Sequence, residues 1–180
     1  MKTKKMLKTN NWFNYQDFYE SMASIKKYKT YVELGVWKGH SVSYLASKLK
    51  GRNVKIYAVD IFEDWDKNKK VLDEVKYVTE LYNENLINEG VRNMITDIRS
   101  ISWEAADNFK EGEVDFVFID ADHTYNSVIK DIKAWLPKIK KGGIISGHDY
   151  FTSPGVKSAV DELLGKVESD RKQNIWYKKV

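Results

Sequence analysis

Two acids and an imidazole fall within four residues of "VDFVFIDADHTY", as Asp120, Asp122 and His123, and "GGIISGHDY" brings His148 and Asp149 to the end of a second apolar run. Carboxylates and imidazoles hold divalent cations and move protons near neutral pH. Continuous apolar runs suit strands covered on both faces, as in a parallel sheet, where the ligand crevice lies beyond the carboxyl ends of the strands. Asp120 and the His148-Asp149 pair, 28 positions apart in the chain, would then meet at one rim. Taken alone, Asp122 before Thr124 reads better as a helix cap and His123 as a turn residue. The second cluster tips the reading toward a site, with His123 as candidate base and Asp122 orienting it or facing solvent.

A different chemistry is suggested upstream. In "VELGVWKGHSVSYLA", Glu33 and Gly35 end a strand, Gly39 follows four residues on, and Ser41 stands at the mouth of a helix. Glycines there allow a sharp turn and close backbone approach, and a helix N-terminus offers unpaired N–H groups to an anion. "VKIYAVD" then ends in Asp60, 25 residues beyond Gly35, where an acid can accept ribose hydroxyls. Turn and acid together imply a nucleoside cofactor. The pattern Glu-x-Gly-x-x-x-Gly lacks the G-x-G-x-x-G of a pyrophosphate site, which favours a cofactor without phosphates over NAD.

These residues need a scaffold. Strand-like runs at 30–36, 54–62, 92–100, 114–120 and 142–150 alternate with segments long enough for helices, which predicts an α/β doubly wound sheet with right-handed crossovers. Helical stripes are expected at Phe18, Met22 and Ile25, capped by Asn14, and at Val128, Ile132 and Trp135. The tail "KVESDRKQNIWYKKV" is too short for another crossover and predicts an antiparallel hairpin at one edge. The polar stretch 64–90 reads as a crossover helix with an extension, or as a partial lid. Trp37, Phe62, Trp65, Tyr125, Tyr150 and Phe151 are expected near the rim, as core or as a stacking surface.

Composition sets the limits. The 180 residues are 42% hydrophobic and 31% charged, fitting one domain over 1–180. With no cysteine, thiolate metal sites and disulfides are excluded, so any metal has oxygen and imidazole ligands. A net charge of +4 without a basic, aromatic-laced stripe argues against nucleic-acid binding. Neither a signal peptide's apolar run nor 18 consecutive apolar residues occur, so the expected location is cytoplasmic, away from membranes.

From about Tyr31 to Val156, the ordered motifs "VELGVWKGHS", "IYAVDIF", "VDFVFIDADHTY" and "GGIISGHDY...PGV" resemble class I S-adenosylmethionine (SAM)-dependent methyltransferases. The last two are similar to those of metal-assisted small-molecule O-methyltransferases of the catechol, caffeoyl-coenzyme A and macrocin type. The resemblance implies a Rossmann-like sheet of seven strands, mostly parallel with an antiparallel last strand. It places Glu33, Gly35, Gly39 and Ser41 beside the methionine part of SAM, Asp60 on the ribose and Ile61 by the adenine. Ile101 stands where relatives carry an acid near the adenine, leaving that role to backbone groups and Ser102. Asp120, His148 and Asp149 fall on the positions that ligate Mg²⁺ or Mn²⁺, with Asp120 also near SAM, and His123 replaces a lysine near the reacting hydroxyl. A small-molecule hydroxyl acceptor, a saccharide or another small polar compound in view of the short region before the first strand, and a possible homodimer complete the expectation. The rival readings are a metal-independent SAM methyltransferase, a SAM-binding module without turnover, which Ile101 would suit, and, at greater distance, an NAD-dependent oxidoreductase.

Overall fold

A computed structural model describes residues 13–62 and 69–180, with side chains described for 13–62 and 78–180. In chain order the elements are α1 (Gln16–Ser24), β1 (Thr30–Leu34), α2 (His40–Lys48), β2 (Lys55–Asp60), α3 (Lys69–Asn88), β3 (Ile95–Arg99), β4 (Val114–Ile119), α4 (Tyr125–Trp135), β5 (Ile139–Gly147), α5 (Pro154–Leu164), β6 (Glu168–Asp170) and β7 (Ile175–Lys179).

The seven strands form one sheet in the order β3-β2-β1-β4-β5-β7-β6. Pairings among the first five are parallel, and β7 runs antiparallel to both β5 and β6. The doubly wound α/β sheet and its antiparallel end are as expected. Every residue of β1 and β4 is buried, as uninterrupted apolar runs require of central strands. On one face Tyr31, Phe116 and Phe118 pack against Phe18, Tyr19 and Met22 of α1 and Val42, Leu45 and Ala46 of α2. On the other, Val32, Val117 and Ile119 meet the stripe Val128, Ile132, Trp135 of α4 and Val156, Ala159 and Val160 of α5.

Register decides what reaches the rim. Val59, Leu34, Ile119 and Gly147 lie in one row across four adjacent strands. The next residues in that row are Asp60, Gly35, Asp120 and His148. The ladder continues through three of them: Gly35 N–H donates to the Val59 carbonyl (2.8 Å), Asp120 N–H to Leu34 (2.8 Å) and His148 N–H to Ile119 (3.1 Å). Strand order reverses direction between β1 and β4, which is where an open α/β sheet leaves its crevice.

Several local expectations change. β1 stops at Leu34 because Gly35 (φ +81°) and Trp37 (φ +42°) turn the chain. β5 begins at Ile139 and ends at Gly147, so His148 and Asp149 belong to the loop beyond it. Asn14 does not cap α1; Tyr15 occupies that position without a side-chain hydrogen bond, and the Phe18 N–H is satisfied by Gln173 Oε1 from the β6–β7 turn (3.0 Å). Arg52 holds the far end of the helix, donating to the carbonyls of Ala23, Ile25 and Tyr28. The stretch 64–90 contains α3, which buries Leu81, Tyr82 and Leu86 as a crossover helix does, whereas the possible lid at 64–68, with Trp65, lies outside the described residues.

Candidate functional site

Beyond the carboxyl ends of β2, β1, β4 and β5 opens a cavity of about 1040 Å³. That is at the upper end of the range for small-molecule sites, roughly 300–1,000 Å³. One end is the turn after β1, and the other is the cluster of acids and histidines.

At the turn, Gly35 is required twice over. Its φ is +81°, and a Cβ there would lie 2.1 Å from the Asp120 carbonyl oxygen. Asp60 pins the same turn: Oδ2 accepts from the N–H groups of Val36 (2.9 Å) and Trp37 (3.1 Å), and Oδ1 from Phe62 N–H (3.2 Å). A carboxylate has about four acceptor positions, so three backbone bonds leave one for a ligand hydroxyl. Gly35, Ser41, Asp60, Ile61, Ile101 and Ser102 all line the cavity, as does His40.

Glu33 and Gly39 do not line it. Gly39 (φ +74°) starts α2, and a Cβ on it would collide with Tyr82 and Leu86 of α3, so its role is helix packing. Glu33 is only 1% exposed beneath Ser41, whose hydroxyl donates to Oε1, while Oε2 has no partner among the described residues. Burial pushes the Glu33 carboxyl up to about 8. It is therefore a buried acid behind the wall, one layer from where the resemblance placed it.

At the other end, loops after β4 and β5 bring the chemistry together. Asp120, His123 and Asp149 each offer an atom, all within 4.8 Å of one another. His123 Nε2 lies 3.3 Å from Asp120 Oδ1 and 3.2 Å from Asp149 Oδ2. His148 Nδ1 faces the same carboxylates, 3.2 Å from Asp149 Oδ2 and 3.8 Å from Asp120 Oδ1, and its Nε2 is 3.1 Å from Asn14 Oδ1. The sequence set Asp120, His148 and Asp149 is thus gathered at one rim, with His123 drawn in beside the two acids. Asp149 reaches the site from a left-handed conformation (φ +60°).

Asp122 has the structural role. Its Oδ1 accepts from Thr124 N–H (2.8 Å) and its Oδ2 from the Ser127 hydroxyl (3.0 Å), which closes the turn into α4 instead of orienting His123.

The charges are mutually supporting. The hydrogen bond with Asp120 raises His123 above the usual histidine range against the opposing effect of burial. Burial pulls His148 down, but its bond to Asp149 and the Asp120 charge outweigh that and the net shift is upward. Burial likewise opposes ionisation of Asp149, yet bonds from His148 and Thr152 and the nearby imidazoles hold it well below the carboxylate range. The carboxylates thus favour a proton on each imidazole, and the imidazoles favour the ionised form of Asp149.

Three contributors were not legible beforehand. Tyr15, 3% exposed, donates from its hydroxyl to Asp120 Oδ2 (3.2 Å) and packs its ring 5.0 Å from that of His148. Phe13, Tyr15 and Trp103 line the cavity; of the aromatics expected at the rim, only Trp37 does so among the described residues. Tyr150 instead is buried and bonds Asp161, Phe62 packs on Tyr82, and Tyr125 bonds Glu162.

This strand order, with a glycine turn after β1 and an acid at the tip of β2, is the fold of the class I SAM-dependent methyltransferases. The chain belongs to the methyltransferase-domain family, whose profile matches residues 32–150.

Among solved structures it is similar to the O-methyltransferase NovP (TM-score 0.68, 16% identity, 92% of this chain and 79% of that one). It is also similar to SAH-bound PaMTH1 of Podospora anserina (0.68, 14%, 91% and 76%). TomG of Streptomyces achromogenes, an O-methyltransferase solved with SAM, matches at 0.62 and 14% identity over 90% of this chain and 76% of TomG. At such identities the likeness is one of fold. An uncharacterized protein of Acanthamoeba polyphaga mimivirus, R132, is 29% identical over 151 residues, 79% of this chain. The match spans 62% of that viral protein, less than two thirds of its length. Among the described residues no helix is long and apolar enough to cross a membrane.

Proposed function

We propose that this chain transfers a methyl group from SAM to a hydroxyl of a small molecule, assisted by a divalent cation of the Mg²⁺ or Mn²⁺ type. The observation that carries the reading is one cavity with a nucleoside-type turn at one end and converging carboxylates and imidazoles at the other. SAM- and SAH-bound neighbours of the same fold support the cofactor.

The donor set fits a cation. Asp120 and Asp149 supply hard oxygens, and His148 Nδ1 points at both while its Nε2 is held by Asn14, the outer-shell bond that fixes a ligating histidine. Asp120, His148 and Asp149 would hold the ion. An ion held there would lower the pKa of the acceptor hydroxyl and fix its oxygen. Asp60 and the turn Gly35–Trp37 would hold the cofactor so that its methyl faces the acid cluster. The acceptor oxygen attacks the methyl carbon, the carbon–sulfur bond breaks, and the sulfonium becomes the neutral thioether of SAH. His123 Nε2, in its neutral form, takes the hydroxyl proton.

A saccharide acceptor is consistent with the polar cluster. CalS11, a TDP-rhamnose 3'-O-methyltransferase, shares the fold (TM-score 0.61, 14% identity, 91% of this chain). One observation favours a metal-independent variant: His123 Nε2 and His148 Nδ1 both already contact Asp149 Oδ2, each at 3.2 Å. The deciding experiment is methyl transfer from labelled SAM to a panel of sugars and phenols, with and without EDTA. Product that disappears on chelation and returns with Mn²⁺ supports the proposal. Turnover indifferent to EDTA selects the metal-independent reading, and no product with any hydroxyl compound overturns O-methyl transfer.

A further inference from the structure

We infer that Asn174, in the turn between β6 and β7, is a positioning residue that sets the Asp149 carboxylate for cation binding; this rests on the metal-assisted reading above. Asp149 divides its oxygens. Oδ2 faces His123 and His148, whereas Oδ1 accepts from Asn174 Nδ2 (3.0 Å) and from the Thr152 hydroxyl (2.5 Å). Asn174 Nδ2 also donates to Thr152 Oγ1 (2.7 Å), and its Oδ1 accepts from Phe151 N–H (2.9 Å). One carboxamide therefore holds both sides of the loop that carries the ligand.

The fit depends on chemistry only asparagine provides there. The residue is 9% exposed and takes φ +56°, a left-handed conformation that asparagine, aspartate and glycine tolerate best. It must donate to a carboxylate on one side and accept from an amide on the other, which a carboxamide does in one plane. Aspartate would set a second negative charge against Asp149 Oδ1. Since Asp149 itself sits at φ +60°, its loop is not held by regular strand geometry and relies on this clamp.

The neighbouring Gln173 extends the same logic to the opposite wall. Its Oε1 accepts from Phe18 N–H in the first turn of α1, just after Asn14 and Tyr15, which reach His148 and Asp120. Two consecutive residues of a hairpin remote in sequence from the rim motifs thus tie down both sides of the cluster.

The test uses Mn²⁺ alone, followed by electron paramagnetic resonance, on the full chain and on Asn174→Gly and Asn174→Asp, with SAH affinity measured by calorimetry in parallel. Glycine keeps the positive φ at no steric cost and removes only the clamp. Loss of an outer-shell partner typically weakens metal affinity 10- to 100-fold. The expected result is that both variants lose Mn²⁺ affinity by that factor while SAH binding stays within twofold, since Asp60 and the glycine turn are untouched. Wild-type Mn²⁺ binding that is unchanged in both variants overturns the inference alone. Parallel loss of SAH affinity overturns it in favour of a general packing role. Wild-type protein that binds SAH but no Mn²⁺ overturns the metal-assisted reading and this inference with it.

Discussion

The carbonyl oxygen of Asp120 lies 2.1 Å from the point a Cβ on residue 35 would occupy, so the turn that faces the cofactor end and the loop that carries the acids are packed backbone to backbone. Only glycine permits that approach, and the φ of +81° demands it a second time. Gly35→Ala is expected to push the tips of β1 and β4 apart. It should lower stability by about 1–3 kcal/mol, the usual cost of overpacking. SAH and Mn²⁺ affinities should fall together, read by thermal unfolding and titration calorimetry; loss of one without the other would show that the two ends are not coupled through this contact.

Asp60 spends Oδ2 on Val36 and Trp37 N–H groups and so shapes the turn before any ligand arrives. Bonds to a charged acceptor contribute about 1.5–3 kcal/mol. Asp60→Ala is therefore expected to weaken SAH binding on the order of 10- to 100-fold while leaving Mn²⁺ binding unchanged. Equal SAH affinity in the variant would mean that the turn holds its shape without the acid.

His123 and His148 flank the same acids but are assigned different tasks. His148→Ala should reduce Mn²⁺ affinity, whereas His123→Ala should retain it and lose product formation by about 10²- to 10⁴-fold, the usual value of a general base. If His123→Ala also abolishes Mn²⁺ binding, His123 is a ligand and the proton must leave by another route.

Buried acids make stability depend on pH. Glu33 is raised by burial from 4.5 to about 8, and Asp131, fully buried in α4, from 3.8 to about 7, again chiefly by burial. Between the ordinary and the raised values the folded chain holds these protons more tightly than the unfolded chain does. Stability therefore falls as pH rises from about 4 to about 8 and levels off above that. One pKa unit corresponds to about 1.4 kcal/mol, so each group contributes on the order of a few kcal/mol. Glu33→Gln should flatten the upper part of this slope, seen as a smaller difference between urea midpoints at pH 5 and pH 8.5. The raised imidazoles act in the same direction, their stabilisation lost as pH rises through their folded values. Asp149 acts oppositely, losing its contribution as pH falls below the ordinary carboxylate range.

By itself the sequence determined the strands, the doubly wound sheet, and the rim on which Asp60, Gly35, Asp120 and His148 stand. Those follow from apolar runs, which are local, and from the rule that a parallel sheet opens its crevice beyond the carboxyl ends of its strands. It left open how side chains converge, because that depends on loops held in left-handed conformations and on partners far away in the chain. Gly39 reads as a cofactor glycine until Tyr82 and Leu86 pack against it, and Glu33 as a ligand until Ser41 covers it. His123 joins Asp149, Asn14 reaches His148, Tyr15 meets Asp120, and Asn174 clamps the β5 loop only when α1 and the terminal hairpin close on the sheet. No spacing or hydrophobic period encodes these contacts: each is a short-range hydrogen bond between segments whose relative placement is set by packing of the whole core.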